Sequence, residues 1–347
     1  MKRRWIVPAL VVLAQVALLV VMAGQREWVV RTGERVRLRT APVDPRDPMR
    51  GDYVRLNYEI SQVPAAQGRD GVARWLTEGN VPGQGRRYRD RVVYAWLERE
   101  PDGTFGLVAL SDQRPADGLF LRGRVESVYG GMVNVRYGLE ALFMQQGDAG
   151  AFEREAVQKA GVPVLVEAAV GSNGVSVLQG YSWAPLGLTV ELVSEPSSER
   201  KGSRRRLTHL VVEWANHSDE PQVIVADSRG RTLALIADPT REPKYEWVGQ
   251  AASDVAEITS SEVVRLEPGA RHRVSLDVSD PRWFVRRLEP TADEPVPLAS
   301  VDDWAASFCL EYRPPSGDAM TRVGASSGEV SAVRLRTRPF HPRHGLD

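Results

Sequence analysis

The chain begins with an almost uninterrupted apolar run, Trp5 to Ala23, and then changes character to short alternating stretches separated by Gly, Pro, Asn and Asp. As a helix the run would reach about 28 Å, close to the roughly 30 Å of a bilayer's hydrocarbon. It is longer than the about 7–15 apolar residues of a cleavable signal. An uncleaved transmembrane anchor is therefore predicted over residues 1–24, although Val21-Met22-Ala23 would pass as a cleavage site. Lys2, Arg3 and Arg4 precede the run, which by the positive-inside rule leaves the N-terminus in the cytoplasm and everything after Gly24 outside. Gln15, in mid-span, reads as a single tolerated amide, with helix association as the alternative.

Beyond the anchor the alternation has a period of two, the signature of β-strands with one buried face. Strands are predicted over Glu34–Thr40, Tyr53–Ile60, Arg91–Glu98, Thr104–Leu110 and Leu119–Tyr129, with a Gly130-Gly131 turn into Met132–Tyr137. In the stretch Tyr53–Ile60, Val54, Leu56, Tyr58 and Ile60 share one face. A short helix is predicted over Ala149–Ala160, where Phe152, Ala156, Val157 and Ala160 make an apolar stripe and Gly161 and Pro163 stop it. A hairpin of Val162–Val170 and Val175–Tyr181 follows. The segment from Ser61 to Asp90 shows no period and is predicted to be a long mobile loop. Ala184-Pro185 marks a boundary, after which about eight short strands between Leu188 and Arg338 predict an antiparallel, immunoglobulin-like β-sandwich. The fold class is thus mainly β: an anchor, a β-rich domain over 25–184 and a sandwich over 185–347.

Composition adds limits more than identity. Apolar residues make up 42% and charged residues 26%, and 45 basic balance 45 acidic groups, so no global field favours nucleic acid. Cys309 is the only cysteine, which excludes an intramolecular disulfide and leaves stability to packing. It sits in an apolar strand with no histidine close in sequence, and reads as a packed thiol.

The stretch Pro42–Tyr58, PVDPRDPMRGDYVRLNY, carries two Asp-Pro pairs that stiffen the backbone into a corner ahead of a strand. From the residues alone it reads first as a self-satisfied structural corner and second as a ligand or partner surface. Gly51-Asp52-Tyr53-Val54-Arg55-Leu56-Asn57-Tyr58, with a second block at Tyr137-Gly138-Leu139-Glu140 and Phe143, resembles the bacterial GDYxxLxY family over about residues 1–183. That resemblance implies a membrane-anchored envelope protein of the cytoplasmic membrane, often encoded near multi-pass membrane proteins, with no established activity.

Enzyme chemistry is sparse in the sequence. A signal-peptidase-like dyad would need a serine near the membrane exit and a lysine on a following strand, yet Gly24 to Ile60 contains neither residue type. His341 and His344 flank a proline near a terminus that reads as frayed, which disfavours a metal site, and no phosphate-binding or dinucleotide fingerprint occurs. Trp214, Trp247, Trp283 and Trp304 raise sugar stacking, against the plainer reading of core tryptophans. Arg86, Arg87, Arg89 and Arg91 read as a solvated run able to touch anionic lipid. The expectation is a non-enzymatic, extracytoplasmic interaction or assembly module for a neighbouring membrane complex, without cofactor. An envelope hydrolase or glycan-binding protein is the alternative. The candidate surface is Arg50, Asp52, Tyr53 and Arg55 with Tyr137 and Glu140, because Tyr53 alternates onto the polar side of its strand.

Overall fold

The structure, a computed structural model, describes residues 6–41, 53–79, 85–143, 148–159, 161–196, 205–238, 241, 244–249, 259–288, 293–315, 330–343 and 345–346. The first module contains helices α1 (Ile6–Thr32), α2 (Asp70–Gly79) and α3 (Asp148–Gln158), together with ten strands. These are β1 (Glu34–Arg39), β2 (Tyr53–Arg55), β3 (Gln62–Pro64), β4 (Val92–Arg99), β5 (Phe105–Ser111), β6 (Phe120–Tyr129), β7 (Met132–Arg136), β8 (Ala141–Phe143), β9 (Val164–Val170) and β10 (Ser176–Trp183). They assemble as a five-stranded antiparallel sheet β3-β7-β6-β4-β5, a three-stranded sheet β1-β9-β10 and the pair β2-β8. Period-two alternation turns Val36, Leu38, Val93, Leu121, Val133 and Val166 inward, and all six lie in one core.

Helix α1 is one unbroken element that includes the apolar run from Ile6 and continues past it. Residues Leu10–Thr32 have a mean hydropathy of 1.6, and none of this stretch's apolar window is buried in the protein, so the helix is long and apolar enough to cross a membrane. Its last turn is where the protein takes hold of it. Val29 is buried against the β9-β10 hairpin, Gly33 N–H donates to Val29 O at 2.8 Å, and Thr32 Oγ1 donates to Trp28 O at 2.8 Å. A side chain at Gly33 would place its Cβ 2.5 Å from Val29 O and 3.0 Å from Val170 N, so glycine alone lets the helix pass into β1 this close to β9.

The expectation of a loop across Ser61–Asp90 is corrected. The segment holds β3, two short 3₁₀ turns and α2, in which Val72, Trp75 and Leu76 are buried at helical spacing. Trp75 stacks on Tyr88 with ring centroids 5.2 Å apart, and Arg91 lies over both rings. The start of α2 is fastened to the sheet: Gly71 N–H donates to Asp112 Oδ1 at 3.0 Å, and Ser111 Oγ donates to Asp70 Oδ2 at 2.5 Å. The strand predicted over Tyr53–Ile60 is likewise shorter, ending at Arg55. Thereafter Tyr58 makes a single bridge to Thr40 and Glu59–Ser61 form a 3₁₀ turn.

The second module is antiparallel throughout its named strands. It comprises β11 (Leu186–Pro196), β12 (Arg205–Asn216), β13 (Gln222–Val225), β14 (Leu233–Ala237), β15 (Tyr245–Trp247), β16 (Val263–Leu266) and β17 (Arg271–Asp277), followed by β18 (Phe284–Arg287), β19 (Val296–Pro297), β20 (Phe308–Tyr312), β21 (Leu335–Arg336), β22 (Phe340–His341) and β23 (Gly345–Leu346). Sheets β11-β12-β17 and β14-β20-β22-β23 enclose a core around Trp214, Trp283, Phe308, Tyr312 and Phe340. The described residues 340–343 are tied down, correcting the expectation of fraying there. His341 is buried, its Nδ1 accepts from Arg343 N–H at 3.1 Å, and Nε2 therefore donates to Asp303 O at 2.8 Å.

The two modules meet at the end of β1. Arg35 and Arg37 on its outer face are exposed, whereas Arg39 is buried among polar groups of both modules. Its guanidinium pairs with Glu100, lies 3.6 Å from Asp102 Oδ2 and 4.0 Å from Glu59 Oε2, and donates to Thr104 Oγ1 at 2.9 Å and to Arg334 O at 3.1 Å. Arg334 returns across the boundary to Glu100 at 3.0 Å, and behind it Arg336 holds Glu311 at 2.6 Å.

Candidate interaction surface

The two sequence blocks that carried the family resemblance fold against each other. Strands β2 and β8 pair antiparallel with Tyr53 opposite Phe143, Val54 opposite Leu142 and Arg55 opposite Ala141. Leu56 N–H then donates to Glu140 O at 2.8 Å. Val54, Leu56, Tyr58 and Leu142 are buried in the core, the inward face that alternation predicts for the first three.

Between the blocks lies a joint made by two tyrosines and one carboxylate. Gly138 takes a φ of +79°, which glycine adopts without strain, and reverses the chain. Glu140 closes that turn by accepting from Tyr137 N–H at 2.5 Å and from Gly138 N–H at 2.9 Å. The Tyr137 hydroxyl donates to Ile60 O at 2.8 Å and the Tyr58 hydroxyl to Leu139 O at 2.6 Å, so each phenol pins the segment carrying the other. Burial, with the Glu140 charge adding to it, raises both phenols well above the ordinary tyrosine range and keeps them neutral donors.

Of the six residues singled out in the sequence, the structure therefore brings Tyr137 and Glu140 together as internal fasteners: the ring is in the core and both carboxylate oxygens are taken by backbone. Arg55 is exposed on the outer side of β2, 3.7 Å from Glu126. Tyr53 contributes its backbone to β2 opposite Phe143, while Arg50 and Asp52 lie outside the described residues. The aromatic that sequence reasoning passed over is Phe143, 78% exposed at the register position opposite Tyr53. Its position in the second block, one residue after an inward Leu142, is the signal that places it outward.

The other candidate residues divide between the core and the surface. Trp214 and Trp283 are fully buried, Trp247 stacks on Trp283, and Trp304 alone of the four is widely exposed. Burial pushes the Cys309 thiol up to about 12, only partly offset by Arg336, so the thiolate nucleophile is not populated at neutral pH. Among the described residues no group of three or more His, Cys, Asp or Glu could hold a metal ion. Glu59, Glu100 and Asp102 converge on Arg39, and Asp227 and Glu262 on Arg231.

Residues 15–180 match the family model described as GDYXXLXY protein. No curated protein and no solved structure matches the chain.

Proposed function

Residues 15–180 being a GDYXXLXY-family domain, we propose that the protein is a single-pass membrane protein with a cytoplasmic N-terminus, whose extracytoplasmic bulk is a non-enzymatic module for docking to or assembling a neighbouring integral membrane complex. The observation that carries this reading is the coupling of the span to the domain. Helix α1 runs without a break from the apolar stretch to Thr32, and its last turn is locked into β9 and β10 through Val29 and Gly33. A loose linker would let the domain search in all directions. A rigid one holds it at a fixed height and azimuth, which serves a protein whose partner is embedded in the same bilayer.

The contact surface is the outer side of the β2-β8 pair, with Arg55 and Phe143 beside the Tyr53 position. An exposed aromatic beside a guanidinium is the pairing enriched at protein interfaces. The test is crosslinking in intact membranes followed by mass spectrometry, comparing the parent with Arg55→Glu and Phe143→Ser. Both variants should retain the parental circular dichroism and lose at least five-fold in recovery of the neighbouring membrane protein. Parental recovery from both would refute the surface, and turnover of peptidoglycan or peptides by the purified protein would replace the assembly reading with an enzyme.

A further inference from the structure

Gln15 is the only polar side chain between Ile6 and Ala23, and it falls within a residue of the middle of the apolar run. A primary amide carries two donors and an acceptor, and in hydrocarbon water cannot satisfy them. Among the described residues nothing packs on α1 at that level, and Gln15 is exposed. Exposed here means facing lipid or another helix.

The direction in which Gln15 points is set by the same helix that is locked into the domain. Gln15 and Val29 are fourteen residues apart on one unbroken helix; at 3.6 residues per turn that is about 3.9 turns, so the two project within about 40° of one another. Val29 is the face on which the domain sits. Its Cγ2 lies 3.1 Å from where a Cβ on Gly171 would be, in the loop that joins β9 to β10 and closes through Gly171 N–H to Val175 O. At 1.5 Å per residue Val29 stands about 9 Å beyond Ala23. The β9-β10 loop therefore hangs beside the helix just above the bilayer, directly over the Gln15 side of the span.

This geometry decides between two occupants of the Gln15 face. Helices in contact run about 8–10 Å apart, and a second copy of this chain docked through the same face would bring two such loops onto one axis. A helix from a different protein, ending below the loop, meets no such obstruction. We propose that the Gln15 face of α1 docks a transmembrane helix of another integral membrane protein that offers a hydrogen-bonding side chain at mid-bilayer, and that this helix lies beneath the 171–175 loop. The inference rests on the assembly reading above and specifies where in the bilayer the partner sits.

The experiment is site-specific photo-crosslinking of the full chain in its own membrane. A photoreactive residue is placed at Val11 or Met22, which share the Gln15 face, or at Leu13 or Val20, which lie roughly opposite by the same helical arithmetic. Val11 and Met22 should give an adduct to one discrete membrane protein at least five-fold stronger than Leu13 and Val20 give. In the Gln15→Leu background that adduct should fall at least three-fold, and Gln15→Asn should retain it. Equal adducts from both faces, adducts only to a second copy of the chain, or no effect of Gln15→Leu would each overturn the proposal. If the intramembrane adduct is absent while the Arg55-dependent neighbour is still recovered, this inference alone fails; if both are lost, the assembly reading fails with it.

Discussion

Replacing Arg39 by methionine keeps most of the side chain's length and removes its charge, which isolates the ion cluster between the two modules. Three carboxylates, Glu59, Glu100 and Asp102, would then face Arg334 alone, which reaches Glu100 at 3.0 Å and Glu59 at 3.7 Å. The loss falls on Asp102. Its Oδ1 already accepts from Thr104 N–H and Oγ1, at 2.9 and 2.5 Å, and its buried Oδ2 has no hydrogen-bond donor, only the Arg39 cation 3.6 Å away. At an effective dielectric of about 20 that contact corresponds to about 5 kcal/mol before desolvation. Breaking one side of a buried pair typically costs about 3–5 kcal/mol. Arg39→Met is therefore expected to destabilise the first module by about 3 kcal/mol or more, read as a fall in the urea midpoint in detergent micelles by far-ultraviolet circular dichroism. Arg39→Met with Asp102→Asn should recover at least about 1 kcal/mol, because an amide tolerates the site without a counter-charge. A single variant within about 1 kcal/mol of the parent, or a double variant no better than the single, would refute the reasoning.

Trp75→Ala removes the ring that stacks on Tyr88 and lies under Arg91; it should cost about 3–5 kcal/mol and open the 61–90 segment to limited proteolysis, and unchanged cleavage would mean that α2 is not held by this contact. Glu140→Ala orphans the amides of Tyr137 and Gly138, with an expected loss of about 1–3 kcal/mol in denaturant titration; an unchanged midpoint would show that Gly138 alone sustains the turn. Burial lowers His217 and His272 below the ordinary 6.5, with Lys159 and Arg271 adding for His217. The unfolded chain therefore binds protons there more readily than the folded one, so stability is full above about pH 6.5 and falls as pH drops below it. The double variant His217→Gln, His272→Gln should flatten the stability profile between pH 6.5 and 5.5, and an unaltered slope would refute the assignment.

Much of the strand content was legible because burial is one-sided. Val36 and Leu38, or Val54 and Leu56, announce a period of two that only a half-buried sheet requires. The α2 segment carried a helical signal in Val72, Trp75 and Leu76, but ten residues between glycines is too short for periodicity to outweigh its polar surroundings. Its order comes from contacts distant in sequence, Asp112 at its start and Arg91 over Trp75. Tyr137 and Glu140 fail as surface residues for a similar reason. Their chemistry is the same whether they face a partner or fasten a turn, and only the Ile60 carbonyl and the Gly138 φ, supplied by the fold, decide between the two.

The buried Arg39 shows what the fold adds beyond any of these local signals. By alternation it belongs with Arg35 and Arg37 on the polar face of β1, yet Glu59, Glu100, Asp102 and Thr104 of its own module and the Arg334 carbonyl of the other enclose it, so β1 begins at α1 and ends at the intermodule ion cluster. At about 3.3 Å per residue the six residues of the strand span about 20 Å. Glycine at 33 lets α1 pass directly into the start of β1 beside Val170, and at the strand's other end Arg39, Glu100 and Arg334 link the two modules, which are also joined by Leu188 N–H donating to Gly161 O at 3.0 Å.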